Sequence, residues 1–239
     1  MNGSLHDQKV LVIGRGSGIA RAVALAARDA GARVTAAGRD QERLADAYAG
    51  EPGITTETVD LSDEESIAAL GKRLGSVHHV VSTASARARG RVADLDRDAV
   101  RVSFDVKVLG PLMLAKHLAP RMGEGGSFVI FSGVAATKIT VGTLGVAITN
   151  AAADTLARSL ALELAPIRVN AISPGVIDSG AWDALGEEAK AKYYAEMTAR
   201  NPARRIGTAH DIANGVLFAL TSTFLTGQTV HIDGGEPLT

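Results

Sequence analysis

The chain has 239 residues, is 46% hydrophobic and carries a formal net charge of -1. That length suits one α/β domain over residues 1–239, with a sizeable core, and near-neutrality leaves no field to steer it to nucleic acid or anionic lipid. There is no cysteine, which excludes disulfides, thiolate metal sites and cysteine nucleophiles together.

Residues 1–9 hold no apolar core, so no secretory signal is expected, and no apolar run approaches the ~18–20 residues of a bilayer span. The expectation is a cytoplasmic protein with neither membrane nor nucleic acid as partner. Short Val- and Ile-rich runs then alternate with Ala/Leu-rich helical patterns. In chain order the pattern predicts a strand at 10–13, a helix at 19–30 closed by Gly31, a strand at 33–37 and a helix at 40–48. A strand at 55–59, a helix at 64–74 and a strand at 79–83 follow. One long helix over 98–122 precedes a strand at 127–132, a helix at 144–164, a strand at 168–172, a helix at 210–219 and a strand at 229–232. Most of these strands are apolar on both faces. The fold expected is therefore α/β: a Rossmann-type, doubly wound parallel sheet of about seven strands, with helices on both faces and right-handed crossovers. The connection over 176–207 is too long for an ordinary βα loop and has a helical patch at 187–200. It reads as a lid over substrate or as a structured surface insertion.

Directly after the first strand comes Gly14-Arg15-Gly16-Ser17-Gly18-Ile19-Ala20, which opens the first helix. Glycines here permit a tight turn and bring backbone N–H groups to a pyrophosphate at a helix N-terminus. Between a strand and a helix the cluster reads as a nucleotide loop; a plain glycine-rich turn is the alternative. About 20 residues on, where an NAD-binding chain places an acid for the ribose 2′-OH, this chain has Gly38-Arg39. A carboxylate would repel a 2′-phosphate, whereas Arg39 can pair with it and Arg15 can assist from the loop. NADP(H) is favoured over NAD(H) on that ground; solvated surface charges are the other reading of both arginines.

These features resemble the short-chain dehydrogenase/reductase family over essentially the whole chain. The loop is similar to the family's Thr-Gly-x-x-x-Gly-Ile-Gly, with Ile13 in place of Thr and Ala20 in place of the last Gly. Asp60-Leu61 resembles the pair that holds the adenine. Ser82-Thr83-Ala84-Ser85 occupies the Asn-Asn-Ala-Gly place, which implies Thr83 and Ala84 beside the coenzyme. The runs Ser159 to Gly175 and Gly227 to Gly235 are specific to the family. The resemblance implies that Pro174, Gly175, Val176 and Ile177 line the nicotinamide. Ser179 would stand for a threonine that contacts its carboxamide or the phosphates. A homotetramer or homodimer joined through the long helices is also implied.

In the family a Ser, a Tyr and a Lys perform the chemistry, usually with an Asn on the long helix before the fifth strand. Ser132 keeps the serine place. Counting back from Ser159, Tyr-x-x-x-Lys falls on Val146-Ala147-Ile148-Thr149-Asn150, and Lys107 fills the Asn place. The chain is similar to an atypical subgroup without that Tyr and Lys.

Hydride transfer to a carbonyl creates an alkoxide that needs a proton and nearby donors. Valine can neither titrate nor donate. Asn150 can bond a ribose hydroxyl, but a neutral amide cannot shift a neighbour's pKa as an ammonium does. Lys107 is the candidate replacement: desolvated beside Val146 and Asn150, it would be an acid or a fixed charge on an oxyanion. Its other reading is a structural lysine bonded to carbonyls in a bent helix. Ser132 either donates to a substrate carbonyl or caps its strand. Tyr193 and Tyr194 either swing a phenol over substrate or simply pack. His117, His210 and His231 have no metal-binding spacing, so no metal is expected. The function expected is an NADP(H)-dependent oxidoreductase acting on a small-molecule carbonyl or alcohol through a non-standard site. The alternative is a nucleotide-binding protein without a redox step: a sensor, a scaffold or a non-redox catalyst.

Overall fold

Alternate residues of the first strand face opposite layers. Val10 and Val12 join one apolar cluster, Leu11 and Ile13 another, as the two-residue period of a strand requires. The computed structural model describes residues 5–239; the first four residues of the segment read as lacking a secretory signal lie outside them. In chain order the elements are β1 (Lys9–Ile13), α1 (Gly18–Asp29), β2 (Arg33–Gly38), α2 (Gln41–Ala47), β3 (Ile54–Thr58), α3 (Glu64–Leu74) and β4 (Val77–Ser82). Then come α4 (Arg97–Phe104), α5 (Gly110–Leu118), β5 (Met122–Phe131), α6 (Leu144–Glu163), β6 (Arg168–Pro174) and β7 (Ile177–Asp178). The last are α7 (Glu187–Arg200), β8 (Gly207–Thr208), α8 (Ala209–Thr221) and β9 (Thr229–Ile232).

The described residues form a seven-stranded sheet in the order β3-β2-β1-β4-β5-β6-β9, and every neighbouring pair is parallel. The expected α/β fold is observed. One face is covered by α1 and α8, where Ala20, Val23, Ala24 and Ala27 meet Ile212, Ala213 and Val216. The small side chains of α1 let it lie close to the sheet and to α8. The other face is covered by α3, α5 and α6, through Ile67, Leu70, Leu114, Leu118, Ala153, Ala157 and Leu160. Strand order reverses between β1 and β4, which opens a crevice at their carboxyl ends.

Two expectations about elements are corrected. The helix expected over 98–122 is interrupted by a π turn at Asp105–Leu109 and closes in a 3-10 turn at Ala119–Arg121. Pro111 is the physical reason. It lacks an N–H to give the carbonyl four residues back, that of Lys107, and its ring crowds the same carbonyl. The ladder widens, and Gly110 N–H bonds to Asp105 O, five residues back. The strand expected at 127–132 begins earlier, at Met122, through a glycine-rich stretch whose pairing with β4 is irregular near Val77 and His79.

The 176–207 connection carries α7 with the bounds expected, Glu187–Arg200. Its two ends are pinned together by the β7–β8 pair, and Arg205 grips Asp211 of α8 through two bonds of 2.6 and 2.7 Å. Among the described residues no helix is long and apolar enough to cross a membrane.

Candidate active site

Several helices in this fold start at a side chain that accepts a first-turn N–H: Asp40 for α2, Asp63 for α3, Asp96 for α4 and Thr208 for α8. Helix α1 does not. Among the described residues no side chain caps it at Ser17, and its first turn holds no acid. Its leading N–H groups therefore have no side-chain acceptor at the cap and carry a positive dipole end, as an anion site requires. The glycines set the approach. Gly18 has φ +54° and lies so near Ser179 that a Cβ would strike the Ser179 carbonyl oxygen, while a Cβ on Gly14 would strike Ala20 and Thr83. Gly16, φ +70°, is buried against Ala47 and Leu44, so the loop turns back tightly and leaves Arg15 and Ser17 exposed.

The other expected coenzyme residues surround this loop. Thr83 donates from both N and Oγ1 to Ile13 O, at 3.0 and 2.9 Å, which locks the end of β4 to β1 with Ala84 beyond it. Arg39 follows β2 and is exposed. Asp60 lies within its field, and bonds from Ser62 Oγ and N–H hold the Asp60 carboxyl below its ordinary pKa, Arg39 adding in the same sense. Leu61 is buried and abuts Gly110. Pro174 and Gly175 close β6, with Gly175 against the Asp233 backbone, and Val176 and Ile177 are buried beyond them. Ile19 lies in the first turn of α1, half-buried. An uncapped helix start, crowded glycines and flanking arginines with no carboxylate in the loop fit a dinucleotide.

Deeper in the same crevice the π turn points Lys107 inward, and the side chain is 6% exposed. Its Nζ donates to Ser132 O at 2.9 Å and to Asn150 Oδ1. Burial pulls the Lys107 pKa down to about 7; the Arg87 charge acts in the same direction and Asp154 opposes it. Asn150 is 2% exposed, and its Nδ2 donates to Gly133 O at 3.1 Å. Its amide is thus held between Lys107 and the turn after β5. Ser132 is buried, and its Oγ donates to Asn150 O at 3.1 Å. Val146, one turn before Asn150, is buried beside them. So Lys107, Ser132, Val146 and Asn150 do come together. Lys107 bonds one strand-end carbonyl and one side-chain amide, not carbonyls of its own helix.

Four more residues of the crevice went unnoticed in sequence. Arg87 and Arg89, from the segment after β4, place their guanidinium carbons 5.8 and 5.2 Å from the Trp182 ring centre. Trp182 meets Tyr193 of α7 at 4.6 Å between ring centres. Glu236 is buried with Oε2 unpartnered among the described residues, and burial pushes its carboxyl pKa up while Lys138 and the Val176 N–H pull it down. The Arg-x-Arg spacing in the segment after β4 was the one legible signal. Tyr194 is held away from this group by donating to Asp178 at 3.1 Å.

The profile described as Enoyl-(Acyl carrier protein) reductase matches residues 13–236, nearly the whole length. The chain belongs to the short-chain dehydrogenase/reductase family. An L-xylulose reductase of Mesocricetus auratus is 31% identical over 243 residues, covering 98% of each chain. A 2-keto-3-deoxy-L-fuconate dehydrogenase of Xanthomonas campestris is 33% identical, covering 98% of this chain and 81% of that one. A solved small-chain dehydrogenase in complex with NADPH is 29% identical with a TM-score of 0.85, covering 98% of this chain and all of that one. As a short-chain dehydrogenase/reductase, the protein is an oxidoreductase that uses a nicotinamide coenzyme.

Proposed function

We propose that this short-chain dehydrogenase/reductase interconverts a small carbonyl compound and its alcohol with NADP(H), as an atypical member in which Lys107 replaces the missing phenol. The observation that carries this reading is the buried Lys107 amine, delivered from the π turn to Ser132 and Asn150. Arg15, Ser17 and the leading N–H groups of α1 would hold the pyrophosphate, and Arg39 the 2′-phosphate. The coenzyme, when bound, supplies or accepts hydride at its nicotinamide. The L-xylulose reductases and the 2-keto-3-deoxy-L-fuconate dehydrogenase support a small carbonyl or alcohol as substrate.

The chemistry asked of Lys107 is a proton. An ammonium has three N–H donors, and two of them serve Ser132 O and Asn150 Oδ1. The third is available to the oxygen that gains negative charge as the carbonyl is reduced. Once it has left, the neutral amine still has the two N–H groups its protein partners require, so proton release needs no rearrangement around it. Ser132 Oγ, by exchanging its bond to Asn150 O for one to substrate, would steady the same oxygen. Asn150 fixes the amine, while Val146 supplies an apolar wall that keeps it desolvated. The segment carrying α7 would close over substrate. Exposed Val102, Leu109, Ile148 and Leu162 on the outer sides of α4, the π turn and α6 support self-association as a homodimer or homotetramer.

The test pairs binding with turnover. NADPH and NADH are titrated calorimetrically, and NADPH consumption is then followed with aldehydes, ketones and 2-oxo acids for the unmodified protein and Lys107→Met. Tight NADPH binding, turnover of one of these classes, and loss of turnover alone in Lys107→Met are expected. Tight binding with no turnover of any class would overturn the redox reading in favour of a nucleotide-binding protein that performs no hydride transfer.

A further inference from the structure

The segment from Ala86 to Arg91 follows β4 and packs on α4 and α6. Its residues diverge: Ala88 is 1% exposed and packs on the backbone of Gly145, while Arg87 and Arg89 on either side are exposed. Both guanidiniums lie over the same Trp182 ring, at 5.8 and 5.2 Å. Tyr193 packs on that ring from α7. The segment itself is fixed, since Gly90 N donates to Gly142 O at 3.0 Å and Ser103 Oγ donates to Ala86 O at 2.7 Å.

What the two cations lack is an anion. Neither Arg87 nor Arg89 has an ion pair or a side-chain hydrogen bond among the described residues. Two like charges side by side repel, and the desolvation of Arg87 where it lies on Trp182, with the Arg89 charge, pulls its pKa down. Arg87 also acts on Lys107, so its charge reaches the buried amine. Glu236 acts on Tyr193 from the far side, but its own charged neighbours are Lys138 and Asp233 rather than the arginines. A planar fork of donors above an aromatic shelf, with no internal acceptor, matches an oxyanion carried on an apolar or planar body.

We propose that Arg87 and Arg89 form an anion subsite of the substrate pocket, which selects carbonyl substrates bearing a carboxylate or another oxyanion, with Trp182 and Tyr193 roofing the rest of the molecule. This rests on the oxidoreductase reading for the reaction, though not for the binding. Arg87 and Arg89 follow β4 and stack on Trp182 of the 176–207 connection, whereas Arg39 follows β2, so the subsite is assigned to substrate rather than to the coenzyme phosphate. It sets specificity by charge, and neutral substrates lose its two bidentate donors.

A matched pair of probes tests it. 4-Carboxybenzaldehyde and methyl 4-formylbenzoate share an aldehyde and differ only in the charge at the far end, and inorganic phosphate is the third probe. Trp182 is the only tryptophan in the chain, so its fluorescence reports occupancy of this shelf directly. Calorimetry repeats each titration, and kcat/KM with NADPH is measured where turnover occurs. The acid is expected to bind about tenfold or more tightly than the ester, the gain of a charge-assisted fork. Arg87→Gln with Arg89→Gln should erase that difference, leave the ester unchanged and leave NADPH affinity unchanged; Arg87→Lys with Arg89→Lys should restore part of it. Phosphate binding more tightly than the acid, and equally sensitive to the arginines, would identify a phosphorylated substrate as the source of the anion. Equal binding of acid and ester, no response to acid or phosphate at all, or a loss confined to NADPH would each overturn the proposal. Arginine-dependent binding of the acid without turnover would uphold the subsite and count against the redox reading; equal turnover of acid and ester would do the reverse.

Discussion

The Nζ of Lys107 donates to Oδ1 of Asn150, so an amine from the turn between α4 and α5 and an amide from α6 share one buried bond. Removing the amine leaves the nucleotide crevice intact. Lys107→Met should therefore lower kcat by about 10²–10⁴-fold, the range for loss of a positioned acid, without weakening NADPH binding by calorimetry. Lys107→Arg should not rescue it, because a guanidinium stays protonated at working pH and cannot release its proton.

With Lys107 in the proposed role, the same amine should set the pH dependence of the rate. With a Lys107 pKa of about 7, its acid form is present below pH 7 and disappears above it. Carbonyl reduction should fall as pH rises through 7, and alcohol oxidation should rise over the same interval. Steady-state profiles of kcat in both directions would show this, and a reduction rate flat from about pH 6 to 9 would exclude Lys107 as the acid.

Stability should respond as well. The folded pKa of about 7 lies below the ordinary lysine value of 10.5, so between these values the unfolded chain holds more protons than the folded one. Stability then rises with pH across that window. The cost of a buried charge is fully present below pH 7 and is relieved towards about pH 10. The gap in Tm between the unmodified protein and Lys107→Met should shift in favour of the unmodified protein over that interval.

His79 adds an acid limb of the same sign. Its ring is buried between Ser127 Oγ at 2.8 Å and Gln8 Oε1, and burial first, then Arg168 and His78, pull its pKa to about 4 from 6.5. The unfolded chain binds the proton first, so stability is full above pH 6.5 and falls as pH drops towards 4, by on the order of 2–3 kcal/mol. Urea melts of His79→Gln should show a flatter acid limb than those of the unmodified protein.

Arg39 should decide the coenzyme. Arg39→Asp puts a carboxylate beside the 2′ position and should weaken NADPH about 10–100-fold, the range of a lost charge-assisted bond with repulsion added. NADH should keep its affinity or gain. A variant that weakens both coenzymes equally would show that Arg39 does not read the 2′-phosphate.

Much of the fold was legible because local signals agreed. Glycines from Gly14 to Gly18 sit between an apolar strand and an Ala-rich helix, and α3 and α7 begin and end where their patterns do. The π turn was hidden because apolar spacing on both sides of Gly110-Pro111 continues one helical pattern, and only the lost N–H of Pro111 marks the break. The extension of β5 through Gly123–Gly126 was hidden because glycine has no side chain to give a strand its alternation. The β7–β8 pair, two residues on each side, is too short for any periodicity. Arg87 and Trp182 lie far apart in sequence and meet only because the 176–207 connection folds back over the carboxyl edge of the sheet, so their contact had no local trace.

The wide turn at Asp105–Leu109 contains a whole residue of slack. A one-codon deletion there would remove that slack and rotate the amine out of its niche, while Pro111 would still interrupt the ladder. The added residue is thus what turns the Lys107 amine towards Ser132 and Asn150, a direction that uninterrupted winding would not give it.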